Sequence, residues 1–186
     1  MEYKSLFLLM IFMTFAVIGG CESPTKAEGD IAVDDDTSAG APTTPIELYL
    51  KVGETAKTSL LEVTVFSVVK DDHYTWVSDI TGDEMDQFSA KDKMFYLVDV
   101  EIKNIGMERA FLSATTFSMT DSNNYKYDPV MYIGGDRLDL FKELYLNQRM
   151  RGKVVFELPS NAKNIKLVYD FGDILLDVKL ASWDVV

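Results

Sequence analysis

Residues Lys93 to Gly106, KMFYLVDVEIKNIG, alternate apolar and polar side chains more regularly than any other stretch of the sequence. Tyr96, Val98, Val100 and Ile102 share one face of an extended chain, and Asp99, Glu101 and Lys103 share the other. A period of two marks a strand with one buried and one wet side, and Asn104 to Gly106 supplies the turn that sends the chain back. This run is therefore expected to be a central strand of a two-sheet β-sandwich.

The remaining strands follow by the same reasoning. Leu48 to Thr55 reads as a first strand, and Leu61 to Lys70, LEVTVFSVVK, as one covered on both sides, since its apolar residues occur on both faces. Glu108 to Ser113 and Phe117 to Asp121 are short strands, and Asp121-Ser122-Asn123-Asn124 is a hairpin turn into Tyr125 to Val130. Met150 to Leu158 alternates again. Ile165 to Phe171 and Ile174 to Leu180 are joined by a tight turn at Gly172-Asp173. Between Val130 and Met150, Met131 to Asn147 breaks the pattern: Gly134-Gly135 is a turn, and Asp136 caps a short helix through Leu144 with Leu138, Phe141 and Leu144 on one side. The fold expected is all-β, an antiparallel immunoglobulin-like sandwich with one short helical connection.

The first residues do not belong to that fold. Lys4 precedes an apolar run from Leu6 to Ile18 broken only by Thr14. Such a run suits a signal peptide and falls short of the ~20 residues needed to span a bilayer. It ends in Ile18-Gly19-Gly20-Cys21, which resembles a prokaryotic lipobox. Cys21 is the one cysteine of the chain, so no internal disulfide forms and the thiol sits where lipidation requires it. Residues 1–20 are thus expected to be a signal peptide. Residues 21–45, starting at the lipidated cysteine, form a flexible acidic tether poor in large apolar side chains. Asp34-Asp35-Asp36 is a solvated charge run within it. The sandwich occupies residues 46–186, held by its lipid on the outer side of the cytoplasmic membrane.

The net charge of -12 excludes a nucleic-acid partner, whose phosphates demand clustered Lys and Arg. One histidine and a committed cysteine cannot build a transition-metal site. Nucleophilic catalysis would have to use His73 as its base, with no GxSxG elbow to hold a nucleophile, so a hydrolase is the weakest reading. Asp71 to Asp92 has no periodicity and reads as a long loop, and it carries what chemistry there is. His73, Tyr74, Trp76 and Phe88 are residue types that anchor interfaces and form the candidate binding surface for a protein or another envelope ligand. Asp79, Asp83, Glu84 and Asp86 offer oxygen ligands to calcium, which accepts irregular geometry, although their spacing matches no EF-hand. An exposed edge strand would permit a homodimer, and nothing in the sequence demands one.

Three pieces taken in order resemble a known family. Met94 to Gly106 closes on Lys103-Asn104-Ile105-Gly106, Phe117 to Tyr125 is a hairpin, and Arg151 to Pro159 reads RGKVVFELP. Together they are similar to the domain of unknown function numbered four-three-five-two, a family of immunoglobulin-like lipoproteins and secreted proteins. The resemblance covers about Leu48 to Leu180. Two departures, Asn123-Asn124 in place of an Asp-Gly turn and Asn147-Gln148-Arg149 in place of Pro-Gly, still suit turns. The resemblance implies a fold related to that of the mycobacterial immunoprotective extracellular antigen. It brings no catalytic residue with it.

Overall fold

The computed structural model describes residues 46–78, 80–172 and 178–185, all within one compact unit, Pro42–Val186. The signal segment, Cys21, the tether with Asp34 to Asp36, Asp79, Ile174 and Leu176 lie outside the described residues. The described chain forms thirteen strands: β1 (Ile46–Lys51), β2 (Thr55–Lys57), β3 (Leu61–Asp71), β4 (His73–Val77), β5 (Glu84–Phe88), β6 (Lys93–Asn104), β7 (Arg109–Phe111), β8 (Phe117–Thr120), β9 (Lys126–Tyr127), β10 (Glu143–Tyr145), β11 (Arg149–Pro159), β12 (Ile165–Asp170) and β13 (Val178–Val185).

Two main sheets face each other, one in the order β1-β13-β12-β8-β9 and one in the order β11-β6-β3-β2. Their inner faces interdigitate in one core, where Val63, Val65, Val98, Val100 and Phe156 meet Phe117, Leu167 and Trp183. The organising run is the central strand it was expected to be. β6 lies between β11, paired from Arg149 opposite Lys103 to Pro159 opposite Lys93, and β3, paired from Leu61 opposite Asn104 to Asp71 opposite Phe95. Tyr96, Val98, Val100 and Ile102 are all buried. Every strand pair is antiparallel except β1 with β13, which join the two ends of the domain in parallel.

Four local expectations are corrected. β3 is not covered on both sides: a bulge between Val65 and Ser67 shifts the register, so Val63 and Val65 point inward before it and Val68 after it. Phe66 and Val69 are left outside, with the Arg151 guanidinium 3.9 Å over the Phe66 ring. The helix expected from Asp136 to Leu144 is absent. Leu138 and Leu144 are buried while Phe141 is exposed, so the three share no face. The backbone there is used instead to close the edge of β11, with Leu138 N–H donating to Lys153 O at 2.9 Å and Lys153 N–H to Asp136 O at 2.8 Å. Among the described residues the only helical element is a 3₁₀ turn, Ala114–Thr116, capped by Ser113 Oγ. Gly172 does adopt φ +80, but Asp170 pairs with Leu180 and β13 begins at Val178, so residues 171–177 separate β12 from β13 where a two-residue turn was expected. The last strand also runs on to Val185, burying Ala181 and Trp183. Finally, the stretch from Asp71 to Asp92 is not an irregular loop but the β4–β5 hairpin.

Gly152 shows why the β11 edge can be sealed. A Cβ at this position would meet Leu138 N at 2.5 Å and the Arg137 carbonyl carbon at 2.6 Å, so only glycine lets the two backbones approach. Gly152→Ala is expected to cost about 1–3 kcal/mol. Asn104 lies buried at the end of β6, and its side chain takes part in four hydrogen bonds. Asn104→Ala is expected to cost about 2–3 kcal/mol, because it strands buried backbone groups. Both losses would be read from urea unfolding midpoints at unchanged slope.

Candidate functional surface

The outer face of β6 changes character along its length. Asp99, Glu101 and Lys103 are charged and take part in cross-strand ion pairs, including a two-point contact from Arg151 to Asp99 at 3.0 and 2.6 Å. Phe95 and Leu97, on the same face, are apolar, and the β4–β5 hairpin folds over them. Tyr74, only 7% exposed, packs edge-on against Phe95 at 4.9 Å and Tyr132 at 5.2 Å, with Val155 beneath and Trp76 beside it. Tyr74 is thus withdrawn from solvent and pins the hairpin to the sheet. Burial pushes its phenol pKa up.

The four aromatic candidates therefore divide between two faces of the ribbon. Pairing sets His73 opposite Phe88, Thr75 opposite Asp86 and Val77 opposite Glu84, so these residues share the outward face. His73 stacks on Phe88 at 5.6 Å with an interplanar angle of 22°. Its Nδ1 lies 2.9 Å from Asp72 Oδ1 and 3.3 Å from Asp71 Oδ1.

Of the carboxylates expected to hold calcium, Asp79 lies outside the described residues. Among those described, Asp83, Glu84 and Asp86 form no group of three ligand atoms, and Asp86 Oδ1 accepts a hydrogen bond from Thr75 Oγ1 at 2.8 Å. The cluster that does form is Asp71, Asp72 and His73, at the base of the hairpin.

Sequence reasoning missed the second wall of the site, residues 129–141. Val130 N–H donates to Val155 O at 2.8 Å, Tyr132 Oη donates to Asp136 Oδ1 at 2.5 Å, and Asp136 pairs with Lys153 at 2.7 Å. Burial works to raise the Asp136 carboxyl pKa, but Lys153 and Tyr132 outweigh it and leave the group below its ordinary range. Gly134 sits under the Tyr132 ring, where a Cβ would collide with the hydroxyl. This bracing holds out Met131, Ile133 and Phe141, exposed by 86%, 44% and 91%, around an apolar cavity of about 360 Å³ floored by Val154 and Val155. A second cavity of about 320 Å³ joins Met131 and Ile133 to Gln87 of the hairpin. The signal was the apolar triplet Met131-Tyr132-Ile133 directly before Gly134-Gly135, an unusual composition for a solvated loop.

The hydrogen bond to Asp72 raises the His73 pKa, burial opposes it, and the charge of Asp71 adds to the rise. His73 should accordingly titrate above its ordinary 6.5. The paired imidazolium favours the folded state below that value, and the contribution is lost as pH rises through the higher folded-state value. Asp72→Asn should bring the midpoint back toward 6.5, followed by NMR titration of the ring and by melts on either side of that pH.

Among solved structures, the fold is similar to MPT63, a secreted protein from Mycobacterium tuberculosis, with a TM-score of 0.52 and 13% identity over 76% of this chain and 98% of that one. It is also similar to the yjhA protein of Bacillus subtilis, with a TM-score of 0.52 and 19% identity over 73% of this chain and 99% of that one. A suspected lipoprotein, ycdA of Bacillus subtilis, aligns with a TM-score of 0.52 and 14% identity over 72% of this chain and 38% of its own. At these identities the likeness establishes a shared β-sandwich. No curated protein matches the chain. The family model described as a domain of unknown function (DUF4352) matches residues 50–178, in line with the resemblance of the strand and hairpin motifs, and the chain belongs to that family.

Proposed function

We propose that the protein is a lipoprotein of the cell envelope, anchored through Cys21 on the outer side of the cytoplasmic membrane, whose sandwich is a non-catalytic binding module for a protein or another envelope component. The observation that carries the binding reading is the braced apolar surface. Met131 and Phe141 stand almost fully in solvent beside a formed cavity, and Phe88 of the facing hairpin is 66% exposed. Large apolar side chains that a fold holds out in this way mark a contact site.

The envelope reading draws support from Ile18-Gly19-Gly20-Cys21 and from the likeness to a secreted protein and a suspected lipoprotein. In this reading the site needs no cofactor, and the charge of -12 turns nucleic acid away. His73 serves structure: its ring nitrogen is taken up by two carboxylates and its ring face by Phe88.

The test is photo-crosslinking of the full-length lipoprotein in its own envelope, with the reactive side chain at Met131 or Phe141 and, as control, at Lys166 on the opposite sheet. A discrete adduct from the first two positions alone is expected, and its absence there would overturn the binding reading. Cys21→Ser should lose incorporation of labelled palmitate and leave the membrane fraction. A membrane-bound, fully processed Cys21→Ser protein would overturn the anchor.

A further inference from the structure

β5 is the least protected of the described strands. All five of its residues are exposed, and among the described strands it pairs with β4 alone. The ladder parity is fixed at both ends: Ser78 N–H donates to Asp83 O at 2.9 Å and Ser89 N–H to Asp72 O at 2.8 Å. Hydrogen-bonded pairs in an antiparallel ladder recur every second residue, so Tyr74 with Gln87 and Trp76 with Met85 exchange bonds across the hairpin. Glu84, Asp86 and Phe88 consequently turn their N–H and C=O groups away from β4, toward the open edge.

Resting on the binding-module reading above, we infer that this edge takes up an extended cationic segment of a partner polypeptide as an added strand. The side chains on either side of the edge specify the occupant. On the outward face a new strand would meet Glu84, Asp86 and Phe88: two carboxylates and a ring onto which a Lys or Arg can lie. No Lys or Arg occurs from Asp71 to Ala90 to compete for them. On the inward face the new strand would meet Met85, 46% exposed, and Gln87, and beyond Gln87 the cavity that Met131 and Ile133 line. The fitting sequence therefore alternates basic and apolar residues, basic ones outward, and its main chain supplies the hydrogen bonds. A second copy of β5 is excluded as occupant by the same charges, since an antiparallel pair centred on Asp86 sets carboxylate against carboxylate.

The test uses the full-length protein in detergent and a fluorescent peptide of about seven residues alternating Lys and Val. Two counterparts accompany it, one with Lys replaced by Glu and one N-methylated at alternate backbone nitrogens. Anisotropy should show binding of the Lys peptide that weakens with salt, at least about tenfold weaker binding of the N-methylated form, and none of the Glu form. In the protein, Asp86→Pro removes an outward N–H without touching the β4 ladder, whereas Asp86→Ala removes the same carboxylate and keeps the N–H. The Pro variant should bind at least about tenfold more weakly than the Ala variant.

Equal binding of the N-methylated and parent peptides overturns the added strand even if Asp86→Pro disturbs the hairpin, because that comparison needs no variant. Failure of the Lys peptide to bind, or a concentration-dependent dimer abolished by Asp86→Pro, also overturns it. Failure here remains distinct from failure of the module. Envelope crosslinks at Met131 or Phe141 that persist in Asp86→Pro leave the binding reading standing and remove only the edge.

Discussion

Asn104 is buried completely at the point where β6 ends, and its amide is divided between the turn that follows and β10. Nδ2 donates to Met107 O and to Leu144 O, both at 2.8 Å, and Oδ1 accepts from Met107 N at 2.9 Å. Its own backbone is bonded to Gln148 O and Asn147 N. The turn after β6, the β7–β10 ribbon and the start of β11 are thereby fixed to one residue. Each such bond contributes only about 1 kcal/mol net, but leaving any of these buried partners unpaired costs more than that. The asymmetry makes the site all-or-none. With β11 set in register on β6, its far edge is ready for residues 129–138, and Gly152 admits them.

The candidate surface is a by-product of how the second sheet treats its two ends. Toward Asn104 the outer face is wet and carries Asp99, Glu101 and Lys103. Toward Lys93 it carries Phe95 and Leu97, which water cannot satisfy. Covering them falls to Tyr74 and Trp76, so the hairpin is held by apolar burial on one side only. The outward side of β5 covers no part of the core: Asp86 meets Thr75 and Phe88 meets His73 within the ribbon, and the face can carry the solvated carboxylates Glu84 and Asp86. Residues 129–141 face the same choice: Val130 and Leu138 bind the edge of β11, and the residues between and after them are braced outward by the Tyr132–Asp136–Lys153 chain.

What was legible in the sequence is what obeys a short period. β6, β11 and β12 keep an apolar residue at every second inward position over most of their length, and the sequence places each within a residue or two. The Asn104 and Gly152 positions were visible as motif letters, though only the packing explains them. β3 looks doubly buried in sequence because a one-residue bulge at Phe66 mimics two apolar faces, and no local signal separates the two cases. The β4–β5 hairpin escaped because β5 buries nothing, so its Glu-Met-Asp-Gln-Phe sequence has no hydrophobic period to detect. The helix expected after Asp136 failed for a related reason: Leu138, Phe141 and Leu144 have helical spacing, but the unpaired backbone of β11 was a stronger claim on that segment than its own propensity. The candidate surface was half found. His73, Tyr74, Trp76 and Phe88 were named from composition, but their division between the two faces of a ribbon follows from pairing, and Met131, Ile133 and Phe141 acquire meaning only beside β11.

An open strand edge is normally a hazard, since any extended chain can add to it. Natural sheets blunt such edges with charge, often Lys, with proline, or by making them short. Here the edge is short and its charge is wholly negative. That choice does two things with the same side chains. It repels a second copy and most of the surface of a protein whose own charge is -12, and it leaves one class of chain, extended and cationic, for which approach is favourable. Protection against self-association and selection of a partner are then a single property of Glu84 and Asp86, carried on a hairpin whose own stability lies on its opposite face.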